Sequence, residues 1–131
     1  MELSLSALAN ILDSNESNKL RAQSSGIFAI AFEALGKHDQ DSDFMESWLR
    51  FVAVAAKDCE PNRPGLLALN APELAAKSVY THWGEPDVFR LCCEVLLHLH
   101  YVTEGQRAVL AEAGFLLDES RLAKAQFIDD R

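Results

Sequence analysis

An internal register constrains this chain more than any other feature. Shifted against itself by 44 residues, the sequence matches in three copies without a gap. Leu5, Leu49 and Cys93 fall together, as do Leu8, Val52 and Leu96, and Ile11, Ala55 and Leu99. Spaced three apart, these positions trace the apolar stripe of one helix seen three times. The polar segment behind the stripe keeps the same step. Asn18, Asn62 and Gln106 align, followed by Lys19, Arg63 and Arg107, then Ala22, Leu66 and Leu110, then Gly26, Asn70 and Gly114, and last Ile27, Ala71 and Phe115. Any helical protein aligns some apolar positions with itself. The joint match of stripe, polar-basic pair and turn-forming residue points instead to a repeat whose units bury their apolar faces against one another.

Helix is the only regular element the pattern predicts. Apolar residues recur at spacings of three and four, and the strict alternation of a strand never persists. Val88, Leu91, Cys92, Val95, Leu96, Leu99 and Val102 form the broadest stripe, and Phe44, Trp48, Leu49, Phe51, Val52, Ala55 and Ala56 form another. Asp43 with Glu46, Asn70 with Glu73 and Thr103 with Gln106 have the spacing at which a capping side chain and an acid or amide satisfy the free amides of a new helix. Pro72 and Pro86 suit a first turn, and Gly26, Gly36, Gly84 and Gly114 can turn the chain left-handed after a helix. This punctuation divides the chain into roughly nine short helices.

The last copy carries a further pattern. A helix with Leu96-x-x-Leu99 runs into a polar loop at Thr103-Glu104-Gly105, and a short helix follows that ends Glu112-Ala113-Gly114 before Phe115. This resembles the armadillo repeat. The resemblance implies an all-α, right-handed α-solenoid of about three armadillo-like repeats of period 44, incomplete at both ends. One domain over 1–131 would comprise approximate repeats 1–42, 43–86 and 87–131. The long third helices, which line a concave groove in that family, map to about Leu3–Asp13, Asp43–Lys57 and Asp87–Val102. Asp118, Glu119 and Lys124 fall where the first copy has Ile30, Ala31 and Gly36, which suggests a solvated terminal cap.

Proteins of this family bind extended peptides or partner helices, so the resemblance implies a non-enzymatic scaffold or adaptor that takes a protein partner, peptide or helical, along its surface. Peptide-binding members carry an asparagine on each third helix and a tryptophan one turn earlier. Here the first position holds Asp13, Lys57 and Tyr101 and the second Ala9, Ala53 and Leu97, so sequence-independent capture of a peptide backbone is not expected. The candidate contact surface is the mixed set Asn10, Arg50, Lys57, Glu94, His98 and Tyr101, able to make charge-assisted hydrogen bonds and to offer one aromatic anchor. Open repeat ends are a physical reason to expect homo-oligomers as well.

Charge narrows the partners further. Twenty acidic against 12 basic residues give a net charge of -8, unsuited to gripping a phosphate backbone, so nucleic acid is not an expected partner. The N-terminus has no basic segment ahead of an apolar stretch, and the purest apolar run, Phe51 to Ala56, is far below a membrane span. Three cysteines, two of them adjacent, fit a reducing compartment, and the expected location is the cytoplasm or nucleus. No cofactor or metal motif is present. His98 and His100 point to opposite sides of one helix, and Cys92, Cys93 and His82 lack zinc-site spacing. Cys59 precedes Glu60-Pro61 in a loop, where an exposed thiol can be reactive. The alternative function is therefore a small helical enzyme or ligand carrier that uses Cys59 or the Cys92/Cys93/His98 region.

Overall fold

The computed structural model describes residues 2–100, with side chains from residue 5 onward. Seven α-helices follow one another: α1 (Glu2–Leu12), α2 (Glu16–Ser25), α3 (Ile27–His38), α4 (Ser42–Ala56), α5 (Arg63–Ala68), α6 (Ala71–Thr81) and α7 (Pro86–His98), with a 3-10 turn at Glu60–Asn62 ahead of α5. The described residues contain no strand, so the fold is all-α. The predicted third copy of the short helices, with Thr103, Gly114 and the terminal cap residues, lies outside the described part.

The 44-residue step recurs in the backbone. Ser14 and Asp58 both take left-handed φ, 57° and 52°, and so do Gly26 and Asn70, at 82° and 65°. Each pair is 44 residues apart. The ends of α1 and α4, the starts of α3 and α6, and the starts of α4 and α7 are separated by the same 44. Asn18 Nδ2 donates to the carbonyl of Ile11 at 3.1 Å, and Asn62 Nδ2 to that of Ala55 at 2.9 Å, one bond made twice in the same register.

Helix α4 is the centre. It packs against α1 on one side and α7 on the other, while α3 lies on α4 and α6 on α7. Its nine buried residues leave few positions for solvent, and Trp48, Phe44 and Phe51 are among the largest fully buried side chains. Removing each such ring from water stabilises the fold by roughly 2–3 kcal/mol before entropy is counted. Phe32 meets Trp48 edge-to-face at 4.9 Å, and Phe28 meets Phe51 likewise at 6.0 Å.

The helix ends depart from the sequence expectation at several points. Asp41, not Asp43, caps α4, accepting from the amides of Asp43 at 2.9 Å and Phe44 at 3.3 Å. An N-cap must keep extended backbone, which Asp41 does, while Asp43 is already helical. Asn70 stands before α6, but its left-handed backbone serves as the turn and its side chain makes no cap bond. Gly36 does not end a helix; it lies within α3. Helix α7 stops at His98, short of Val102, because His100 takes a left-handed φ of 61°. Pro72 and Pro86 do occupy first turns, and Gly84, at φ 93°, breaks the chain between α6 and α7.

Candidate functional site

Along α4, Glu46, Ser47, Arg50, Ala53, Val54 and Lys57 recur at three- and four-residue steps, so they share one side of the helix. Helices α1 and α7 wall this side, and the three together form an open groove of about 430 Å3. Ser6 and Asp13 come from α1 and its end, and Arg90, Leu91, Glu94 and His98 from α7. Its lining combines small and apolar side chains, Ala53, Val54 and Leu91, with charged and polar ones.

The helices are offset along their axes. Ser6 Oγ and Ser47 Oγ are hydrogen bonded at 2.9 Å, and Arg50 Nη2 donates to Asn10 Oδ1 at 2.8 Å, pairs 41 and 40 residues apart. Against a register of 44, this is a stagger of about one helical turn. It brings Asn10 beside Arg50 and Lys57 near His98.

Four of the six residues expected from sequence therefore line one groove: Arg50, Lys57, Glu94 and His98. Asn10 stands at its edge and orients Arg50. Tyr101 lies outside the described residues. Sequence reasoning missed Ser6, Asp13, Glu46, Ser47, Arg90 and Leu91. Steps of three and four taken from Arg50 along α4 and from Glu94 along α7 find Glu46, Ser47, Arg90 and Leu91, whereas Ser6 and Asp13 need the stagger of α1.

The ionisable groups respond to this placement. Burial first, then Lys57, hold the His98 imidazole below its ordinary range, while Glu94 and Asp58 pull it upward. His98 Nε2 lies 3.4 Å from Glu94 Oε1. At the other end, burial and the carboxylates of Asp87, Asp43 and Glu85 raise the Glu46 carboxyl above its usual value, with Arg90 opposing them. Both groups are thus biased toward their neutral forms, which lowers the cost of drying the groove under a partner.

Two cations bind the C-terminal ends of the groove helices α4 and α7. Lys19, 4% exposed, donates from Nζ to the carbonyl of Lys57 at 2.6 Å, where α4 ends. Arg63 Nε donates to the carbonyl of His98 at 2.8 Å, where α7 ends, and its guanidinium also pairs with Glu60. A cation at the negative end of a helix dipole is favourable, and each comes from a segment before the helix that it caps. The sequence register had aligned Lys19 with Arg63 without showing what they did.

The thiols occupy different surroundings. Cys59 is fully buried rather than exposed in its loop, and Cys92 and Cys93 are buried too. None of them lines the groove. Among the described residues no group of three His, Cys, Asp or Glu side chains is placed to hold a metal ion, and no helix is long and apolar enough to cross a membrane. Comparison with protein-family models, with curated proteins and with solved structures finds no match for this chain.

Proposed function

We propose that the chain is a non-enzymatic interaction module, an armadillo-like stack whose groove between α1, α4 and α7 receives a segment of a protein partner. One observation carries this reading: four polar residues of the repeat helices, Arg50, Lys57, Glu94 and His98, converge on one groove that Ala53, Val54 and Leu91 also line. The recurrence of left-handed turns and asparagine bonds at 44-residue steps supports the stacked architecture. Mixed charges beside small apolar side chains suit a partner recognised by its own side chains rather than by its backbone. None of the three buried thiols is among the residues that line the groove.

The test places a photo-crosslinking residue in the groove. Ser47→p-benzoylphenylalanine is expected to form a covalent adduct with a discrete protein partner in cells, and the same substitution at Lys37, on α3, is not. Adding Arg50→Glu and Lys57→Glu should abolish the adduct while the helical circular dichroism stays unchanged. Equal labelling from both positions, or none from Ser47, would sink the proposal.

A further inference from the structure

Three cations line the groove, and they are not equally committed. Arg90 is paired with Asp87, while Arg50 and Lys57 make no ion pair among the described residues. Both stand on one side of α4, seven residues apart, a rise of about 10 Å. One 44-residue step away in either direction, the position of Arg50 holds Ser6 or Glu94 and that of Lys57 holds Asp13 or Tyr101. Stacking of the repeats therefore does not itself require a cation at either place.

Each cation is held in position without being neutralised. Arg50 Nη2 donates to the amide oxygen of Asn10 at 2.8 Å, an acceptor that carries no charge. Lys57 closes α4, where the negative end of the helix dipole would repel an anion. Lys19 Nζ, bonded to the Lys57 carbonyl at 2.6 Å, offsets that end with a second ammonium group, and Arg63 does the same at the carbonyl of His98 where α7 ends. The groove's own carboxylates leave Arg50 and Lys57 open: Glu94 lies 3.4 Å from His98 Nε2, and neither Asp13 nor Glu46 pairs with either cation. Ala53 and Val54, between the two cations in sequence, and Leu91 of α7 supply apolar surface.

With the groove as the docking site, a reading on which this inference rests, we propose that its occupant is a short acidic segment in extended conformation. It carries two carboxylates three residues apart, one for Arg50 and one for Lys57, and an apolar side chain between them meets Ala53, Val54 and Leu91. Three residues of extended chain cover about 10 Å, which matches the rise between the cations. A groove of about 430 Å3 is the size that holds a ligand of a few residues, not a helix of several turns. Arg50 can take its carboxylate through two parallel bonds, and Lys57 takes the other as a point charge. A basic segment would meet both cations and be refused. The net charge of -8 opposes an acidic partner only at range, where salt screens it, so the local pairs decide.

The probe is a phage library of random dodecapeptides selected on the whole protein, with each enriched sequence resynthesised, labelled with a fluorophore and titrated by anisotropy. The enriched sequences are expected to carry Asp or Glu pairs three residues apart, and Arg50→Gln and Lys57→Gln are each expected to weaken binding about fivefold. Asn10→Asp is expected to do the same, because it is isosteric and neutralises Arg50 from within the chain. Changing one peptide acid to its amide should abolish the effect of one cation substitution and leave the other, which assigns each acid to its cation. Acid-free peptides weakened by Arg50→Glu or Lys57→Glu would overturn the acidic occupant while leaving the groove as a docking site. Peptides indifferent to every one of these substitutions, or no enrichment at all, would overturn both. Acidic peptides that Asn10→Asp does not weaken would overturn the pairing with Arg50, and the proposal with it.

Discussion

Asn18 and Asn62 make the same bond to a carbonyl seven residues earlier, but solvent reaches the first and not the second. Asn62 is fully buried and its Nδ2 also donates to Lys19 at 3.2 Å. Removing it strands acceptors in the interior, so Asn62→Ala should lower stability by about 2–3 kcal/mol, and Asn18→Ala by less than about 1 kcal/mol. Urea denaturation of both variants decides this, and equal losses would show that burial is not the cause. The groove ionisations have opposite signs. Below the ordinary histidine value of 6.5, the unfolded chain takes up a proton that His98 in the fold resists. Stability is therefore lost as pH falls through 6.5, and His98→Gln should flatten that part of the curve. Glu46 has its value raised above 4.5, so its charged form costs stability at neutral pH. Glu46→Gln should raise the melting temperature at pH 7, and the gain should disappear as pH approaches 4.5 and the native carboxyl is protonated. A gain that persisted at low pH would assign the effect to packing.

At the scale of elements, two glycines with equally open surroundings separate backbone conformation from contact. A Cβ built on Gly26 or on Gly36 meets nothing within 4 Å. Gly26 links α2 to α3 at a φ of 82°, and Gly36 lies in the helical interior of α3. Gly26→Ala should therefore cost about 1–2 kcal/mol through left-handed strain alone, whereas Gly36→Ala should gain about 0.5–1 kcal/mol by restricting the unfolded chain. Thermal melts of the two proteins check the sign of each. The turn positions Ser14 and Asp58 show that the register tolerates non-glycine residues in this region, where short polar side chains are the ones that adopt it most readily. Gly26 and Asn70 follow the same rule, and for that reason their alignment was legible from residue type.

For the whole molecule, α4 is the element that α1, α3 and α7 share, so the core should be lost as one unit. The buried thiols report this. Cys59, Cys92 and Cys93 are 0%, 5% and 2% exposed, and their labelling by a disulfide reagent is expected to be slow in the native state and to follow global unfolding as urea is added. Fast labelling of any one would reveal a local opening and revive a reactive-thiol role for that residue. What the sequence by itself determined was local and periodic: the apolar side of each helix, the first-turn prolines, the left-handed positions and the 44-residue step. Each of these depends on interactions within a few residues, which spacing and residue type record. The tertiary structure decided how the helices stand against one another. A stripe shows which face is buried but not its offset from the next helix, and the one-turn stagger brought Asn10 to Arg50 and Ser6 to Ser47. Packing likewise buried Cys59 in what read as an exposed loop, and carried Lys19 and Arg63 to the ends of helices more than thirty residues away. Side-chain reach across packed helices is set by tertiary distance, and sequence separation does not encode it.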